Sequence, residues 1–191
     1  MIRFLNDETV AGHRFGKGAI ARFDSATEAQ LIAAADAENY PVILRPVEML
    51  SGSAVAVSCV STGFDEVLAS FTIAPGIVGV NSILQVEPLW TFTSSANNKI
   101  VKVRLGGATI YNAARTTSVK EAPLIVLANR NSLMSQIRPY DYGYGAAGAE
   151  VPATYAIDFS QPVDVEITGQ LANSGDSLKL EYFRVLHFVG A

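Results

Sequence analysis

From about residue 54 onward, apolar and polar side chains alternate with a period of two, the signature of half-buried strands. Val55 and Val57 open the series, and longer runs follow at 67–73, 83–93, 99–105, 109–114, 123–128, 163–168 and 177–188. The runs are separated by residues that tolerate positive φ: Ala96-Asn97-Asn98, Gly106-Gly107 and Asn173-Ser174-Gly175-Asp176. Nothing in this region has helical periodicity. The pattern predicts a mainly β domain over 54–191, an antiparallel β-sandwich or jelly roll.

The last run is the most legible. Leu178, Leu180, Tyr182, Arg184, Leu186 and Phe188 alternate with Lys179, Glu181, Phe183, Val185, His187 and Val189, and the second half is apolar on both faces. Such a strand is expected between two layers, or between one layer and a neighbouring subunit.

The front of the chain follows another plan. Ile2–Leu5 and Ala19–Phe23 read as two short strands of a hairpin around a middle containing Gly12, Gly16 and Gly18. Ser25-Ala26-Thr27-Glu28 has the capping-box spacing, in which the Ser hydroxyl accepts an early backbone N–H and the Glu reaches back to the cap. Ala26, Ala29, Ile32 and Ala33 then share a helical face, which should fade near Asp36, ahead of Asn39-Tyr40-Pro41. A hairpin-plus-helix module over 1–40 is therefore expected. Pro41, Pro46 and Ser51-Gly52-Ser53 mark 41–53 as a connector.

Composition narrows the function. The chain has 191 residues, 49% of them hydrophobic and 17% charged, which excludes disorder and suits a buried core or surface hidden in an assembly. The net charge is −4 and the cations are scattered singly, so the basic face that nucleic-acid binding requires is missing. No apolar stretch is long enough to span a membrane as a helix and the first residues do not resemble a secretion signal, so the protein is expected in the cytosol, without a membrane partner. A single Cys59, in Val57-Ser58-Cys59-Val60, reads as a buried thiol on a strand.

Candidate chemistry is sparse. Gly175-Asp176-Ser177-Leu178 spells a lipase and esterase signature, but in a turn near the C-terminus and without the α/β pattern that would position the serine. The histidines, His13 and His187, are better explained as structural residues than as members of a relay. Two histidines and one cysteine make no zinc site, and no calcium-loop spacing occurs. Gly143-Tyr144-Gly145-Ala146-Ala147-Gly148 lacks the Lys-Ser/Thr of a phosphate loop. No catalytic residue, metal or cofactor is expected. The segment 138–145 sets Tyr140, Tyr142 and Tyr144 among glycines, a composition suited to a recognition loop or to a long loop packed on its own sandwich.

Residues 89–99 (Leu-Trp-Thr-Phe-Thr-Ser-Ser-Ala-Asn-Asn-Lys), Val103-Arg104-Leu105-Gly106-Gly107, Asn129-Arg130-Asn131-Ser132 and 167–173 (Ile-Thr-Gly-Gln-Leu-Ala-Asn) resemble a β-domain that recurs in structural proteins of tailed bacteriophages. Arg3-Phe4-Leu5-Asn6-Asp7, Arg14-Phe15, Gly18-Ala19-Ile20-Ala21 and 29–38 are similar to short modules on head-decoration and head-fibre proteins, in which Gly often stands where this chain has Ala35. Ala resists the left-handed conformation that ends many helices, so the expected helix should run on or end without that cap.

The resemblance implies a non-enzymatic virion protein on the outer surface of the capsid, assembled in the host cytoplasm. Residues 1–40 would dock on the major capsid protein and the β-domain would face outward. Arg3, Phe4, Arg14 and Phe15 are the candidate docking residues, because Arg and aromatic side chains anchor interfaces; the alternative is a hairpin core of Phe4 and Phe15 with solvated arginines. By analogy with decoration proteins the oligomer would be a homotrimer, with Val185, His187 and Val189 shielded by the partner, though a dimer also closes. The rival reading is a tail or fibre host-recognition module that binds cell-surface glycan or protein through Tyr140, Tyr142 and Tyr144.

Overall fold

The computed structural model describes residues 47–139 and 152–190, together with the backbone of five short strands nearer the N-terminus. The chain divides into two compact units, Met1–Leu44 and Arg45–Ala191.

In the first unit, β1 (Ile2–Phe4) pairs antiparallel with β4 (Ile20–Ala21), Ile2 opposite Ala21, which is the pairing expected of the hairpin. Between them β2 (Glu8–Val10) and β3 (His13–Phe15) form a hairpin of their own, and β5 (Ala37–Asn39) adds to the other edge of β1. The predicted helix from Ser25 lies outside the described residues.

The second unit is built from β6 (Val47–Ser53), β7 (Val57–Ser58), β8 (Glu66–Ile73), β9 (Ile83–Phe92), β10 (Lys99–Leu105), β11 (Ala108–Arg115), β12 (Lys120–Glu121), β13 (Ile125–Asn129), β14 (Gln136–Arg138), β15 (Ala153–Tyr155), β16 (Val163–Leu171) and β17 (Leu178–Phe188). The described residues contain no helix. One sheet runs β15-β14-β13-β9-β17-β6, with β12 also on β9 and β7 on β17; the other runs β11-β10-β16-β8. Every pairing is antiparallel.

If β6 with β7 and β12 with β13 are each taken as one broken strand, and the appended β14–β15 hairpin is set aside, eight strands remain, ordered 6-3-8-1 and 5-4-7-2. Two Greek keys wound across two facing sheets give this order, which is a jelly roll.

Strict alternation builds the core. Along β9, Leu84, Val86, Trp90 and Phe92 point inward while Gln85, Glu87 and Thr91 point out. Val101, Val103 and Leu105 from β10, and Val163, Val165 and Ile167 from β16, meet them from the other sheet. Pro88, which has no N–H to donate, falls at residues 87–89 of β9, in the gap between its pairings with β13 and β12.

Two expectations are corrected. Val47–Ser53, read as connector because of Pro46 and the Ser51-Gly52-Ser53 triplet, is instead an edge strand paired with Phe183–Phe188. There Gly52 lies so close to β17 that a Cβ would stand 3.1 Å from the Phe183 carbonyl oxygen. The second concerns β17, whose register against β9 shifts between Leu180 and Tyr182. The bulge exchanges the faces: Leu178 and Leu180 point inward before it, and Phe183, Val185 and His187 after it.

The β10–β11 turn is as expected, with Gly106 at φ 54° and Gly107 at φ 79°, the left-handed pair of a two-residue hairpin loop. A Cβ on Gly107 would meet nothing within 4 Å, so only backbone strain opposes substitution there. Gly107→Ala should therefore cost about 1–2 kcal/mol in urea denaturation, and Gly107→Asn should cost less.

Candidate functional site

The appended hairpin opens the body along one seam. On one side stands β11, the free edge of its sheet; on the other, β14 and β15 with the segment that leads to β16. Two cavities lie along this seam. One, of about 320 Å³, lies between Thr109–Asn112 and the side chains of Arg138, Ala153 and Tyr155. The other, of about 290 Å³, lies between Ala108 and the turn Ala156–Asp158, with Gln161 at its rim. The two share no lining residue.

The walls are fixed from behind. Ile110 is the extra residue of a bulge, since Val103 pairs with Tyr111 and Arg104 with Thr109. Its carbonyl accepts a hydrogen bond from Arg138 Nη1, so the guanidinium is anchored at the groove. Tyr111 points inward, stacks on Trp90 at 6.3 Å between ring centroids, and donates its hydroxyl to Glu121. Glu121 in turn receives Arg115 Nε at 2.5 Å and Nη2 at 2.9 Å.

Gln136 secures the opposite wall. Fully buried, it accepts the Ile157 N–H at 2.8 Å and donates to the Ile157 carbonyl at 3.0 Å and to Asn129 Oδ1 at 3.1 Å. Beyond Ile157, Asp158 Oδ1 accepts from Ser160 N and Oγ, and these two bonds hold its carboxyl below the usual range.

The other candidates fare differently. Arg3 and Phe4 lie on β1, and Arg14 and Phe15 on β3, in two separate small sheets; their side chains lie outside the described residues, as do Tyr140, Tyr142 and Tyr144. Val185 and His187, expected to face a partner, are 0% and 2% exposed within the chain itself, because the bulge turns them inward. Val189 is half-buried. After the bulge β17 turns Tyr182 outward, exposed, and the half-buried Leu186 and Phe188, the last two flanked by Val47, Met49 and Ile83.

Ser177 of the esterase-like signature shares a 2.6 Å hydrogen bond with Thr93 Oγ1. His187 lies near the far end of β17, the strand that begins just after Ser177, roughly 30 Å away. His187 Nε2 instead meets Ser82 Oγ at 2.9 Å, and that hydroxyl also accepts the Gly79 N–H. Both side chains are buried, so the pair locks the strand ends and leaves no room for a substrate. Cys59 is buried as expected, and burial pushes its thiol up to about 11. Among the described residues no group of three or more acidic, histidine or cysteine side chains is placed to hold a metal ion. On the outer face of the β10 sheet, Lys102 and Arg104 both pair with Asp65, so these cations are matched where they stand.

No protein-family model and no curated protein sequence matches the chain. Loose likeness to solved structures exists. The insecticidal delta-endotoxin Cry8Ea1 of Bacillus thuringiensis superposes over 68% of this chain at 11% identity and a TM-score of 0.36, and the matched part is 19% of the toxin. The C-terminal domain of EclA, a sugar-binding protein, superposes over 78% of this chain and 86% of its own at 9% identity and a TM-score of 0.35. The CBM2 module of the evolved Dit of Lactobacillus casei BL23 phage J-1 does so over 64% and 70% at 13% identity and a TM-score of 0.33. At such values the jelly-roll assignment rests on the strand order of the chain itself.

Two predictions test the buried polar groups. Gln136→Leu strands the N–H and carbonyl of Ile157 and should lower stability by roughly 1–3 kcal/mol, read as a shift in the urea midpoint. Burial lowers the His187 pKa, and Glu48 opposes that shift more weakly. Above the ordinary histidine value of about 6.5 neither state takes up the proton. As pH falls below that value the unfolded chain protonates first, so stability drops until the folded pKa is passed. Wild type should lose more stability than His187→Gln between pH 7.5 and 5.5; equal losses would contradict the assignment.

Proposed function

We propose that this chain is a non-enzymatic structural protein of a tailed-phage particle, a capsid decoration or head-fibre protein whose N-terminal unit docks on the major capsid protein. The observation that carries the reading is the division of the chain into two compact units. A small β unit, Met1–Leu44, precedes a jelly-roll body, Arg45–Ala191, and the histidine of that body, His187, is taken up by a buried bond to Ser82. The resemblance of residues 89–99, 103–107, 129–132 and 167–173 to phage structural domains supports the same reading.

Arg3, Phe4, Arg14 and Phe15 are the docking residues in this reading. The homotrimer it implies uses the outward row of Leu186 and Phe188 in place of Val185 and His187, which the core consumes. Assembly takes place in the host cytoplasm, and neither nucleic acid nor membrane is a partner. The rival role is host recognition from a tail or fibre through Tyr140, Tyr142 and Tyr144.

Label directed against the chain should decorate the whole shell of intact particles in negative stain; labelling confined to the tail tip favours the rival. A version lacking residues 1–40 should keep the far-ultraviolet spectrum of a β protein yet fail to bind shells stripped of the protein. Normal binding by that version would reject the docking role.

A further inference from the structure

We infer that copies of this chain join head to tail, the 60–64 loop of one seated in the cleft beside Ala108 and Ile157 of the next. The knob comes first. Phe64 is 69% exposed and Val60 77%, on a loop, Val60-Ser61-Thr62-Gly63-Phe64, that carries no charge. The loop is nevertheless well braced. Glu66 Oε2 accepts the N–H groups of Val60 at 2.7 Å and of Ser61 at 2.8 Å, Ser61 Oγ donates to the Phe64 carbonyl at 2.7 Å, and the Ser61 carbonyl accepts the Leu171 N–H at 2.9 Å. An aromatic side chain already held outward on such a loop loses little freedom on docking, and aromatic side chains are what interface cores collect.

The cleft supplies the matching surface. Ile157 and Val163, both buried, line it together with Ala108, Ala156 and Pro162. Gly106 keeps it open, since a Cβ there would stand 3.2 Å from the Ile157 side chain. Asp158 is the one charged group among the described lining residues. The cleft holds about 290 Å³, and a cavity of about 150 Å³ already takes a benzene ring. A Phe ring that enters it covers apolar surface on both partners and leaves the loop with no charge to desolvate.

Position decides that the occupant is a second copy. The loop is tied to Leu171 at one end of β16, and the cleft includes Val163 at the other, roughly 25 Å away. The loop leads into β8 and the cleft adjoins β11, which are the two outer strands of that sheet. A chain therefore cannot fill its own cleft, and knob and cleft meet only between copies. Because two different surfaces make the contact, it is heterologous, and it closes into a ring or extends as a filament according to the rotation it imposes. It is separate from the outward row of Leu186 and Phe188, which lies on the other sheet, and independent of where the chain sits in a particle.

The test is oxidative cross-linking of the full chain. A Cβ on the exposed Gly63 would meet nothing within 4 Å, and Gln161 is exposed at the cleft, so Gly63→Cys and Gln161→Cys should each fold normally. Mixed and oxidised, the two variants should give a disulfide-linked pair of one with the other, while each alone stays single. Cys59 is buried and takes no part. Phe64→Asp added to Gly63→Cys should lower the yield of the mixed pair by about 10-fold in dilute protein. Met49→Asp, which sets a charge in the outward row of the other sheet, should leave that yield unchanged. A mixture without the cross-link, pairs of like with like in its place, a yield indifferent to Phe64→Asp, or one abolished by Met49→Asp would overturn the inference. None of these results touches docking by the N-terminal unit, which the truncation tests separately.

Discussion

The body depends on the pairing of β17 with β9. These are the two longest strands, and they run side by side from Leu178 opposite Phe92 to Phe188 opposite Ile83. The far edge of β17 carries β7 and β6, the first strands of the body. The last strand in sequence thus closes the sheet between the first and the third, and the core of Leu178, Leu180, Phe183 and Val185 is sealed only when it arrives. Such non-local closure makes folding slow and the finished body cooperative.

The bulge in β17 decides which side chains the body can offer outward. A strand eleven residues long, paired on both edges, would keep one phase throughout; the extra residue near Glu181 reverses it, and Thr91 Oγ1 donates to the Glu181 carboxylate at 2.5 Å beside the irregularity. One consequence is the buried Ser82–His187 pair. Another is that the outward apolar row becomes Leu186 and Phe188, next to Met49 and Val47 of β6.

Much of this was legible in the sequence. The runs at 83–93, 99–105 and 177–188 became β9, β10 and β17 almost residue for residue, because each has a buried face that only one register can satisfy. Gly106-Gly107 marked its turn by backbone chemistry alone. Val47–Ser53 was hidden because an edge strand needs little alternation and tolerates serine and glycine. The phase reversal in β17 was hidden because both faces there are apolar. The clefts left no local signal, for they arise where β11 meets a hairpin some thirty residues further on, at the bulged Ile110 whose carbonyl accepts Arg138.

Native-state hydrogen exchange tests the central role of β17 most directly. If this strand closes the body, the amides of Leu178–Phe188 and, Pro88 aside, of Ile83–Phe92 exchange together and only through global unfolding, with free energies equal to that from urea denaturation. Exchange of the β17 amides through a cheaper local opening, while those of β10 and β11 stay protected, would contradict it.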